Sequence, residues 1–118
     1  MNIYCEPVTT DAVGCSQGYF KNNGYGSDIT LGDLGIAGIY DPDTTLLQVI
    51  SNPGNGKIQK GVQTYDGYIR QQVTAYLNSM YVTGFPLDRG TILAGGYTQG
   101  ELEYANHGGA DVICPFGS

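Results

Sequence analysis

The strongest constraint on this chain is the spacing of its apolar residues between 66 and 81. There Ile69, Val73, Tyr76, Leu77 and Met80 recur at intervals of three and four. That period gathers side chains on one side of an α-helix. Asp66 stands where a carboxylate accepts from the unpaired amides of a first turn. The spacing predicts a helix over 66–81 with this stripe buried. The other side carries Arg70, Gln71, Gln72, Thr74 and Asn78 and reads as a solvated or partner-facing surface.

The rest of the chain is cut short by its 19 glycines. A helix is expected over 44–51, where Asp43 can cap the first turn, Leu46, Leu47, Val49 and Ile50 form an apolar face, and Asn52-Pro53-Gly54 stops the chain. A third helix is expected over 98–106, because Thr98 and Glu101 have the spacing of a reciprocal capping box. Residues 29–36 suggest about one helical turn ending at a glycine, Ile92-Leu93-Ala94 a short helix or strand, and residues 14–28 irregular loop. Gly54-Asn55-Gly56-Lys57 is turn chemistry. Before residue 14, weak alternation and Pro7 suggest an extended arm, and Val112-Ile113-Cys114-Pro115-Phe116 an extended apolar tail. The expected fold is mainly α, small and loop-rich, with α+β containing a few short strands as the alternative. The domains are an arm over 1–13 and one module over 14–118.

With 118 residues the chain can build one modest core. Only 14% of residues are charged, while tyrosine (10) and glycine are abundant, so the surface is made of hydroxyls, amides and glycine. Such compositions suit extracellular walls, fibres and contact surfaces. A net charge of −6 with five basic residues leaves no patch able to neutralise several phosphates, which excludes nucleic acid as a partner. No apolar run approaches the roughly 18 residues of a membrane span. The segment MNIYCEPVTT has neither the basic nor the apolar part of a signal peptide, so no export route is legible.

Cys5, Cys15 and Cys114 are an odd set without a CxxC pair or zinc spacing. In an oxidising compartment they imply one intrachain bridge and one leftover thiol able to bond a neighbouring chain. In the cytosol they would be three ordinary buried thiols.

Catalytic constellations are weak. His107, the single histidine, lies at an expected helix C-terminus, where it caps the helix dipole. A hydrolase pairing it with Cys114 or Cys15 would need a lowered thiol pKa that nothing nearby supplies. Asp41 and Asp43 are weak candidates for Ca²⁺, with Asp28, Asp33 and Asp111 elsewhere, but the EF-hand pattern is missing and turn and cap roles account for the pair. Glu101 and Glu103, two apart on a helix, face different ways and make no glycosidase pair. Gly54-Asn55-Gly56-Lys57 is no phosphate loop. No enzyme activity and no cofactor are expected. Tyr19, Phe20 and Tyr25 can stack on sugar rings or fill a core, the core being favoured.

The stretch Gly14-Cys15-Ser16-Gln17-Gly18-Tyr19-Phe20-Lys21-Asn22-Asn23 resembles the Gly-Cys-x-x-Gly-(Tyr/Phe)-Trp-Lys-Asn-His signature of a poorly characterised module in microbial secreted and surface proteins. Later features follow in a similar order: TTLLQVISN, PGNGK, YIRQQVTAYLNS, FPL and LEYANHGGADVICPF, together spanning residues 14–116. Phe20 replaces the tryptophan and Asn23 the histidine, so no role of those groups transfers. The resemblance implies an extracellular, noncatalytic module, with Cys15 and Cys114 matched to the family's first and last cysteines and Cys5 outside the match. Pairing of those two would close a loop of about 100 residues, a constraint of about 4 kcal/mol in the chain-entropy model.

The expected function is structural: an extracellular or cell-surface protomer that polymerises with itself into a fibre or surface layer through residues 1–13 and Cys5. The alternative is a binding module for carbohydrate or protein, with or without Ca²⁺. Its candidate groove is Tyr19, Lys21 and Asn22.

Overall fold

The computed structural model describes residues 12–36, 41–51, 67–108 and 112–116. Asp66, Cys5, Asp111 and the 54–57 turn lie outside the described residues. The order is β1 (Ala12–Val13), α1 (Gln17–Asn22), α2 (Leu31–Leu34), α3 (Leu46–Ser51), α4 (Gly67–Tyr81), α5 (Arg89–Ala94), α6 (Gln99–Glu103) running into a π-turn (Tyr104–Gly108), and β2 (Val112–Ile113). The fold is small and mainly helical, with two short strands among the described residues.

Helix α4 is the axis. It packs against α1, α3, α5, α6 and the π-turn. Ile69, Val73, Tyr76 and Leu77 are buried as the period predicts, and Phe20, Leu31, Leu46, Ile50, Ile92 and Leu102 complete the core around them. Met80 departs from the stripe and is 40% exposed, because it lies in the last turn of the helix.

The polar side of α4 is the larger correction. Gln72, Thr74 and Asn78 are buried, not solvated, because short helices cover α4 on several sides. Buried polar groups need partners, and these have them. Gln72 Nε2 donates to the Ile92 carbonyl at 2.8 Å, and Thr74 Oγ1 to the Arg70 carbonyl at 2.8 Å. Asn78 Oδ1 accepts from the Cys15 amide at 2.6 Å, while its Nδ2 donates to the Cys15 carbonyl and to Asn106 Oδ1, both at 2.9 Å. Asn106 Nδ2 in turn donates to the carbonyl and side-chain oxygens of Gln71.

The helix starts show what the local chemistry selects. Helix α6 begins at the expected Thr98–Glu101 capping box, but after Glu103 it widens into the π-turn instead of continuing as α-helix. Asp43 does not cap α3. Thr45 forms a backbone bridge with Thr30 that holds it extended, so Thr45 itself is the cap: its hydroxyl accepts from the Gln48 amide at 3.1 Å and Gln48 Oε1 accepts from the Thr45 amide at 2.9 Å. The expected loop over 14–28 contains α1, started by Ser16 Oγ accepting from the Tyr19 amide. Residues 92–94 prove helical, inside α5, which Asp88 caps and Gly95 ends.

Both ends of the described chain meet. β1 and β2 pair in parallel, Ala12 with Val112 and Val13 with Ile113, and the Gly14 amide continues to the Ile113 carbonyl at 3.0 Å. Immediately beyond, Cys15 and Cys114 are joined in a buried disulfide with Cα atoms 4.5 Å apart. Gly14 is obligatory here, since any Cβ would collide with the Ala105 carbonyl. Ala12 and Val13, on the arm side of the expected 13/14 boundary, are thus paired with β2.

Asn78→Ala should lower unfolding stability by about 3 kcal/mol in urea, since it strands the buried amide and carbonyl of Cys15 and one side of Asn106. A loss under about 1 kcal/mol would mean that water replaces the side chain. Replacing Cys15 and Cys114 together by alanine should cost about 4 kcal/mol in the same assay, as expected for a bridge across 99 positions; an undiminished unfolding midpoint would contradict a constraining role.

Candidate functional site

Helix α1 places the residues of the expected groove. Tyr19 and Asn22 are three apart and share a side of the helix, whereas Lys21, two from Tyr19, turns away. Tyr19 is half-buried, and Lys21 and Asn22 are exposed. The helix thus does not bring the three side chains into one groove. Asn23, next in sequence, donates from Nδ2 to the Tyr19 carbonyl at 2.8 Å and helps end the helix.

Tyr19 instead joins a row of rings. It stacks on Phe116 with centroids 5.5 Å apart and planes at 25°, and meets Tyr25 at 5.8 Å. Tyr25 meets Tyr81 edge to face at 4.9 Å. Phe20 lies fully buried beneath, 5.4 Å from Tyr19 and 5.1 Å from Tyr25. The row runs Phe116, Tyr19, Tyr25, Tyr81, and its two ends are exposed (49% and 43%). The hydrogen bond that the Tyr19 hydroxyl donates to Tyr25, followed by desolvation and the neighbouring Tyr25 charge, raises the Tyr19 phenol above its ordinary pKa.

The bonded sulfurs of Cys15 and Cys114 have no thiolate to offer, so neither serves His107 as a nucleophile in this oxidised form. The His107 side chain lies outside the described residues. Asp41 contributes its carbonyl to a turn, accepting from the Thr44 amide at 3.0 Å, and Asp43 is exposed. Among the described residues, no three His, Cys, Asp or Glu side chains gather as a metal site. Among the same residues, no helix is long and apolar enough to cross a membrane. Asp88 sits below the usual carboxylate range because the Thr91 amide, then the Thr91 hydroxyl, donate to it, which is a capping role.

Sequence reasoning missed Tyr81. It continues the i+4 row of Ile69, Val73 and Leu77 at the flank of the buried stripe, which is the signal that could have marked it, but its pairing with Tyr25 depends on the 23–28 turn lying beside the helix end.

Comparison with protein-family models, with curated proteins and with solved structures finds no match to this chain.

In tyrosine-labelled NMR the Tyr19 ring carbon should titrate above the ordinary value of about 10. A raised phenol pKa favours the folded state below the unfolded value, and the contribution is lost as pH climbs from there through the raised value. Tyr25→Phe should bring the Tyr19 titration down towards ordinary; no change would assign the shift to burial instead.

Proposed function

We propose that this chain is a noncatalytic protomer of an extracellular fibre or surface layer, and that copies join through the segment that precedes β1. The observation that carries this reading is the sheet at the disulfide. Residues 1–11 lead directly into β1, and among the described residues neither β1 nor β2 pairs with a third strand. Unpaired strand edges are templates for a segment of another chain.

The sequence of that segment suits the role. Ile3-Tyr4-Cys5 has the weak alternation and apolar character of an extended arm, and Ile113 on β2 is 49% exposed beside the edge it would meet. One copy's segment on the next copy's sheet is a head-to-tail contact, which generates open filaments. With Cys15 and Cys114 bonded to each other, Cys5 is the remaining cysteine and can lock such a contact covalently. A disulfide persists in oxidising compartments, and a surface poor in charge does little to keep neighbouring copies apart. The resemblance to secreted and surface modules points the same way.

Negative-stain electron microscopy of the unreduced full chain should show regular filaments. Deleting residues 1–11, which spares β1, should leave small uniform particles with the helical circular dichroism intact. Uniform particles from the full chain, or filaments from the deletion variant, would overturn the proposal.

A further inference from the structure

Where the aromatic row ends, the turn after α1 and the last turn of α4 enclose an open cleft of about 430 Å³. This lies within the range of roughly 300–1,000 Å³ typical of small-molecule sites. Tyr25 and Tyr81 form its aromatic corner, with planes at 73°. Asn23, Ser27 and Asp28 supply its polar rim. We propose that this corner binds neutral saccharide chains, an activity independent of whether copies assemble.

The chemistry of the lining selects the ligand. Asn23 gives one of its two amide N–H groups to the Tyr19 carbonyl and keeps its oxygen as an acceptor, and Asp28 adds a carboxylate. With the hydroxyl of Ser27 the rim offers acceptors and donors together, which suits a ligand rich in hydroxyls. No Lys or Arg lines the cleft, and the chain carries a net charge of −6, so anionic ligands are disfavoured. A pyranose satisfies both requirements, with hydroxyls at its edge to donate and a flat face of C–H groups to lie on a tyrosine ring.

The corner is built before any ligand arrives. The Tyr25 amide donates to the Phe20 carbonyl at 3.0 Å, and the Leu47 amide to the Gly26 carbonyl at 3.2 Å, tying the turn to α1 and α3. Gly26 has φ of 85°, and a Cβ there would lie 2.7 Å from Leu46 Cβ, so only glycine lets the turn sit this close. A fixed corner binds without an ordering cost. Tyr19 and Phe116 continue the ring surface outwards, which favours a chain of sugars over a single one.

Saturation-transfer difference NMR on the full chain tests this, because its signal does not require the protein to be monomeric. The probes are cellotetraose, chitotetraose and mannotetraose, with tetragalacturonate and choline as charged comparisons. Transfer to the ring protons of at least one neutral tetraose is expected, with none to tetragalacturonate. Tyr81→Ala and, separately, Asp28→Ala should each weaken binding about tenfold, while Tyr104→Ala, an exposed tyrosine outside the cleft, should leave it unchanged. Absence of transfer to all three neutral probes would overturn the proposal, as would transfer to choline alone or binding unaffected by both cleft variants.

Discussion

Asn78 grips the backbone of Cys15 from inside the core, accepting from its amide at 2.6 Å and donating to its carbonyl at 2.9 Å. A side-chain amide used this way imitates a strand partner, and it does so at the residue that also carries the disulfide. The central helix is thereby fixed to the start of the module, and through the sulfur bridge to its end. Because the groups are buried, losing the side chain would leave each partner desolvated without a replacement, the costliest condition for a hydrogen bond. The position of α1, which follows Cys15 at once, depends on this grip, and so does the place where β1 meets β2.

Segments far apart in sequence supply the rest of this network. Cys15 stands in GCSQGYFKNN, Asn78 is the second-last residue of YIRQQVTAYLNS, and Asn106 lies in LEYANHGG. They are hydrogen-bonded in series, with Gln71 completing the chain. Gln17 extends the pattern, donating to the Ile50 carbonyl at 2.7 Å and accepting from Arg70. Residues far apart in sequence thus form one polar framework inside the fold. A chain with few charges and many short helices has no large apolar core to define one packing arrangement, and directional bonds inside it supply that definition.

Much of the helical layout was legible because it rests on local chemistry. The stripe of α4 and the Thr98–Glu101 box are spacing signals, and each lies where expected. The start of α3 was legible too, in Thr45-Leu46-Leu47-Gln48, but Asp43 offered a competing cap, and only the pairing of Thr45 with Thr30 decides between them. Helix α1 was hidden by Gly18, whose low propensity argues for loop when tertiary packing of Phe20 argues for helix. The polar side of α4 misled for a more general reason: period assigns a side to each residue, but what covers that side is a property of the whole fold. Helix geometry sets Lys21 apart from Tyr19 and Asn22 on α1, and the corner at Tyr25 and Tyr81 needed a contact between residues far apart in sequence.

The segment from 112 to 116 joins the strand edge to the aromatic row. Val112 and Ile113 form the strand beside the open edge, Cys114 is bonded to Cys15, and Phe116 stacks on Tyr19 at the outer end of the aromatic row. Five residues thus serve an edge, a staple and a platform, and the staple holds the other two in place. Buried as it is, the disulfide gives neither surface freedom to rearrange on its own. The proposed saccharide corner is thereby held at a fixed position relative to the strand edge, and if copies join at that edge as proposed, a filament would repeat the corner along its length without any further device.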